Sequence, residues 1–257
     1  LHLRFPTKAE AEAYLKTRAA TYTSSYEPSA LSGFDTLTEV RTGKIWNATN
    51  SWSADWERKY KAWLEENADA DFLKRHGIAT DCADVAYAYR WIFSRIHKLP
   101  AANRLGGSGA LFTNETMKAA WQGLPTAQNW QNDRRFKAAL NYLLDNTFTH
   151  TLMGDIYPVA IQPAYLAAGA IYLDLYSDET GHTELVRSVL LENTHPQPIR
   201  ILASTVPREV RVLEEYGFNG RHRQPQADRE GFFRFRWARK SQGKWEILLP
   251  GQLPGFS

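Results

Sequence analysis

One cysteine, two methionines and no long apolar run set the first limits on this 257-residue chain. A single thiol excludes an internal disulfide and any zinc-finger spacing of Cys pairs, and it leaves the redox compartment open. No H-E-x-x-H places two imidazoles on one helix face, and the seven histidines are scattered, so neither a metal nor a cofactor is expected. The glycine-rich R-L-G-G-S-G-A at 104–110 lacks the Lys-Ser/Thr ending of a phosphate-binding loop and reads as a mobile rim loop. No window approaches the roughly 18 consecutive apolar residues of a membrane span. A formal net charge of +3 gives no mandate for nucleic acid. The opening residues lack Met, a basic region and an apolar core, so they do not read as a signal peptide; a start on Leu reads as a mature or trimmed form.

What is present is an ordinary globular composition with nine Trp, and a change of pattern midway. Thr7 and Glu10 make a capping-box pattern ahead of a helix over 8–20, and 23–52 reads as irregular. Trp56, Tyr60, Trp63 and Leu64 recur at helical spacing through 53–67, and further helices are expected over 81–97, 114–122 and 130–146. Residues 169–176, 182–191 and 199–206 then read as strands separated by turn residues, with a hairpin from 232–239 and 244–249. Helices first and a strand meander second argue an α+β fold, with no internal repeat and no linker. One domain over 1–257 is expected: a helical extension to 77, a core over 78–206 and a β region over 207–257.

Cys82 lies in A-T-D-C-A-D-V-A-Y-A-Y-R-W-I-F, in the first turn of its helix, with Thr80 or Asp81 as the N-cap. Val85, Ala86, Tyr89, Ile92, Phe93 and Ile96 follow the 3.6-residue period, and Cys82 shares their stripe. Unpaired backbone N–H groups converge at that end, favouring a thiolate and offering donors to a tetrahedral oxyanion. A cysteine on an apolar stripe is equally explained by packing, and Asp81 opposes ionisation. Asp81 and Asp84 are themselves welcome in a helix's first turn. A nearby imidazole must therefore complete the case. His76 is close in sequence but sits in a loop before Gly77. His182 opens a strand after D-E-T-G, where a sheet presents a side chain to a helix end packed across it; a surface histidine at a hairpin is the plainer account.

D-C-A-D-V-A-Y at 81–87 resembles the D-C-S-G-L-V type motif of NlpC-family peptidoglycan cysteine peptidases. G-A-I-Y-L-D-L-Y followed by G-H-T-E-L-V is similar to their strand–turn–G-H-V-G-I-Y signature. The likeness covers roughly 78–206. It implies a papain-like fold, the Cys-bearing helix packed on an antiparallel meander, in which Cys82 attacks an amide carbonyl and His182 acts as base and then acid. The third polar residue of that family falls on the next strand, I-R-I-L-A-S-T-V, where Ser204 is the first choice and Thr205 the second. Neither is the His, Asn or Asp the family prefers. Asp84 and Glu184 also replace its small glycines. Transglutaminase-like peptidases share the order of parts, and D-C-A-D-V-A resembles their D-C-E-D-x-A, but 199–206 holds no Asp.

The resemblance implies a peptide or peptidoglycan substrate and a secreted or periplasmic protein. In 232–239, Phe233, Phe235 and Trp237 alternate with Arg234 and Arg236. That pattern reads either as a half-buried strand or as a substrate-binding wall in which Arg234, Arg236 and Trp237 meet substrate carboxylates. Arg221 to Arg223 adds positive charge nearby in sequence. A papain-like protein that binds peptides or carbohydrate without cleaving them is the reading from another class. A nucleic-acid binder built on 221–240 is disfavoured by the small net charge.

Overall fold

The computed structural model describes residues 40–41, 43–106, 109–176, 180–190, 198–218 and 229–257. The helix expected over 8–20 and the basic run Arg221 to Arg223 lie outside those residues. Arg41–Ser257 forms one compact unit.

Helix α1 (Ala54–Asn67) starts where Ser53 accepts the N–H of Trp56, and it buries Tyr60 and Leu64. A short α2 (Phe72–Arg75) leads to α3 (Cys82–Ile96), whose Asp81 and Asp84 form a reciprocal capping box. Strands β1 (Ala102–Arg104) and β2 (Leu111–Thr113) make a small hairpin, so Arg104 belongs to a strand rather than to a rim loop. Next come α4 (Arg134–Asp145), capped by Asp133, and α5 (Thr149–Asp155). No helix covers 114–122. There Thr113 and Thr116 bond each other's backbone and side chains in a turn, followed by a two-residue strand at Met117–Lys118 and a short 3₁₀ turn at Ala119–Trp121.

The chain continues through β3 (Ile156–Pro158), β4 (Ile171–Leu175), β5 (Gly181–Val189), β6 (Ile199–Ala203), β7 (Glu214–Gly217) and β8 (Arg229–Phe235). These make one antiparallel sheet in the order β3-β8-β4-β5-β6-β7. The β4-β5-β6 meander agrees with the sequence pattern; the later hairpin agrees in its second strand and in Ala238 and Arg239 alone. Strand β8 ends at Phe235 and inserts between β3 and β4, while β9 (Ala238–Ser241) pairs separately with β10 (Lys244–Ile247). The break falls at Arg236, whose guanidinium donates to the carbonyls of Leu248, Ile247 and Gly154.

One sheet face carries Tyr172, Val186, Ile201, Ala203 and Phe232 in a common core cluster. The other carries the cross-strand partners Ile171, Leu185 and Leu202, with Phe233 beside Ile171. Phe235, two residues along β8, meets the ring of Tyr87 at 5.4 Å, which places α3 on this second face. The fold is thus a mixed α+β arrangement with its central helix against an antiparallel sheet.

Every residue of α3 from Cys82 to Ser94 is buried. Most of its polar side chains are matched from elsewhere in the chain, while Ser94 donates to the Arg90 carbonyl of the same helix. Arg90 donates to both oxygens of Glu57 at 3.2 and 2.6 Å and lies 3.4 Å over the Trp52 ring. Burial pushes Glu57 up, but Arg90 and Arg234 together hold its carboxyl below the usual range. Trp91 donates to Asn103, and Tyr87 to Asp155. Asp155 also accepts from Asn103 and from the backbone and guanidinium of Arg104.

Removing the carboxylate in Glu57→Ala leaves buried guanidinium charge uncompensated and should cost about 3–5 kcal/mol in urea unfolding. A loss under about 1 kcal/mol would contradict the pairing scheme. Burial pushes Asp155 from 3.8 to about 6 against the pull of Asn103 and Arg104. The folded chain therefore binds more protons than the unfolded one between those values. This stabilisation is complete below the unfolded value and is lost as pH rises through the folded one, by at most about 3 kcal/mol. Asp155→Asn should flatten that slope in urea midpoints from pH 4 to 7; an unchanged slope would show that Asp155 is not its source.

Candidate active site

Cys82 is the first residue of α3 and is 9% exposed. Its Sγ lies 3.3 Å from Oγ1 of Thr149, the first residue of α5. The backbone N–H groups of Thr183, on β5, and of Ala83 also favour the sulfur's anionic form. Burial, reinforced by the charge of Asp81, outweighs these donors and pushes the thiol above its ordinary value. The oxyanion donors expected at this helix end are already engaged. Asp81 accepts from the N–H groups of Ala83 and Asp84 at 3.1 and 3.3 Å.

Strand β5 brings His182 beside this site but aims it elsewhere. The approach needs Gly181, where a Cβ would stand 2.1 Å from the carbonyl oxygen of Asp174 and 3.1 Å from Cγ2 of Thr149. Gly181, Thr183 and Leu185 therefore face Cys82 and α3. Strand alternation sends His182, Glu184 and Val186 to the opposite face. There His182 pairs across strands with Asp174, and its Nε2 is 3.9 Å from Oε1 of Glu184. Glu184 accepts from the Tyr216 hydroxyl at 2.6 Å, and Asp174 from Tyr172 at 2.9 Å. The structure joins the two segments that carry Cys82 and His182, and it places the two side chains on different faces. His76 packs its ring against Phe72 and Trp130, at 5.0 and 4.8 Å.

Ser204 approaches the helix start rather than the imidazole. Its hydroxyl donates to the Thr80 carbonyl at 3.1 Å and accepts from the Thr80 hydroxyl at 3.3 Å, tying the end of β6 to the residue before Asp81. Thr205 is exposed. The residues of the expected substrate wall are all engaged within the fold, Arg234 buried and Arg236 and Trp237 half-buried. Arg234 is 7% exposed, with a guanidinium nitrogen 3.7 Å from Glu57 and another donating to the Ala168 carbonyl. Trp237 donates its indole N–H to Glu57 at 2.8 Å, and Arg236 is spent on backbone carbonyls. Alternation predicted the faces of Phe233 and Phe235; it carried no sign that Glu57, some 180 residues away, would meet Arg234 and Trp237, or that backbone carbonyls would take Arg236.

Two residues at this end of α3 were not foreseen, Thr149 beside the thiol and Arg208 beside Asp84. Thr149 lies in N-T-F-T-H-T, which reads as a polar stretch; the signal was the three-residue spacing by which Thr151 caps Phe148. Arg208, on the segment after β6, donates to Asp84 at 3.1 Å and to Asp145 at 2.6 Å. Burial and the neighbouring Asp81 raise Asp84 well above the usual carboxylate range against the pull of Arg208. Among the described residues no cluster of three His, Cys, Asp or Glu is arranged to hold a metal ion, and no helix is long and apolar enough to cross a membrane.

No protein-family model, curated protein or solved structure matches the chain.

The thiol's setting fixes its reactivity toward a small alkylating reagent. Iodoacetamide labelling of the free protein should keep accelerating above pH 9, as for a cysteine held protonated by burial. A rate plateau reached below about pH 7 would contradict the placement of Cys82.

Proposed function

We propose that this protein is a papain-like cysteine hydrolase in which Cys82 is the nucleophile and His182 the base that takes and returns its proton. The observation that carries the reading is the contact between the thiol and β5. One of the two backbone N–H groups favouring the sulfur's anionic form is that of Thr183, in the peptide unit shared with His182. The imidazole thus hangs from a backbone position one peptide unit from the sulfur. Strand alternation puts the two side chains on opposite faces, which side-chain torsions cannot bridge; in the working cycle the start of β5, at Gly181 and His182, turns over to bring the ring from the Glu184 side to the thiol. Because burial keeps the thiol protonated, His182 takes the proton as sulfur attacks the amide carbon, rather than holding a preformed ion pair. The same imidazole protonates the leaving amine, and water then hydrolyses the thioester. A transglutaminase-like acyl transfer would use the same pair with a different acceptor.

The substrate proposed first is an amide in a bacterial peptidoglycan stem peptide, on the likeness of the 81–87 and 169–186 motifs; a secreted or periplasmic site of action is its corollary. A second reading is favoured by the alternation of β5. A papain-like scaffold that binds such peptides or glycans without cleaving them requires no imidazole on the thiol's face.

Mass spectrometry of peptidoglycan fragments incubated with wild type, Cys82→Ala and His182→Asn separates the two. The hydrolase reading expects new fragments with wild type and a loss on the order of 10³-fold or more in either variant. Fragments that bind but stay intact with wild type would replace it with the binding reading. Cleavage that survives in Cys82→Ala would overturn the assignment of the nucleophile.

A further inference from the structure

We propose that Thr149 is the hydrogen-bond donor that supports the Cys82 sulfur as its negative charge develops, a role that rests on the hydrolase reading and adds a residue to it. Three features of the geometry carry this. The Thr149 Oγ1 is 3.3 Å from Sγ, within the range of a sulfur hydrogen bond, and the residue is 8% exposed, so water competes poorly for the contact. Its orientation is fixed from the other side, because the face of Gly181 without a side chain opens toward Cγ2 of Thr149. The hydroxyl is therefore held toward sulfur while the methyl is held toward β5. The backbone beneath it is set by the start of α5, where Phe148 donates its N–H to the Thr151 hydroxyl at 2.9 Å.

The chemistry is a change of donor. In the resting protein either the thiol or the hydroxyl can supply the hydrogen. Once the thiol proton has gone to the base, only the hydroxyl still carries one, and its bond to sulfur becomes charge-assisted. A bond to the charged form favours that form. The need for such a donor is specific to this site: Asp81 accepts from the N–H groups of Ala83 and Asp84, and its charge opposes the thiolate. Among side-chain groups the Thr149 hydroxyl is the one whose hydrogen bond to sulfur offsets that opposition.

The test is the pH profile of iodoacetamide alkylation of Cys82 in the full chain, compared among wild type, Thr149→Val, Thr149→Ala and Thr149→Ser. Valine keeps the shape and removes the hydroxyl; alanine also removes it without the branched side chain; serine keeps it. The valine and alanine variants should shift the profile upward by about one pH unit, a roughly tenfold slower rate at pH 8, while serine stays near wild type. A packing role would move serine with alanine and leave valine near wild type, and that result would overturn the proposal. Profiles that coincide in all four proteins would also overturn it. Alanine keeps the comparison open if valine fails to fold. The readout needs no substrate, so a failure here is distinct from a failure of wild type to cleave peptidoglycan.

Discussion

Burial of α3 over thirteen successive residues, Cys82 to Ser94, is the constraint on which the rest of the structure depends. A helix covered on all sides draws most of its polar side chains to partners on other elements, because leaving a buried group unmatched costs more than a matched one contributes. The partners come from well-separated parts of the chain. Glu57 on α1 meets Arg90, Asp155 at the end of α5 meets Tyr87, Asn103 on β1 meets Trp91, and Arg208 after β6 meets Asp84. Each contact fixes the position of one surrounding element against the helix. They commit Arg90 and Arg208 to the framework, while Arg234 joins it through Glu57 and Arg236 through backbone carbonyls.

The same burial shapes the chemistry at the helix start. In an exposed first turn the helix end would favour the thiolate; here Asp81 occupies the end and the sulfur lies beneath the surface. Desolvation then decides the balance, and the thiol stays protonated until a base removes the proton. In the proposed hydrolase cycle, Thr149, the Thr183 N–H and the base on β5 would act together at the moment of attack. A cycle of this kind resembles general-base catalysis at a hydroxyl more than a stored thiolate–imidazolium pair.

How much was legible depended on the range of the interaction. Helical spacing located α1 and α3 because the period of Tyr60 and Leu64, or of Val85, Tyr89 and Ile92, is local. The β4-β5-β6 meander was legible for the same reason. The insertion of β8 between β3 and β4 was not, since strand order is set by pairing across more than fifty residues. Arg234 and Arg236 illustrate the same limit. Alternation gave the faces of their neighbours, whereas the Glu57 carboxylate and the Leu248 carbonyl that hold them are visible only in space. The Cys82 position followed from its helix, while the face of His182 turned on Gly181, a residue that reads as part of the turn.

The central claim is that Cys82 carries the acyl group of a cleaved amide as a thioester. The most direct measurement is the intact mass of the chain, acid-quenched during incubation with an activated ester of a stem-peptide fragment and mapped by peptide sequencing. The account predicts an added acyl mass on Cys82 that decays with time and accumulates in His182→Asn if acylation still proceeds there. Steady release of product with Cys82 unmodified at every time point, or an adduct on another residue, would contradict it.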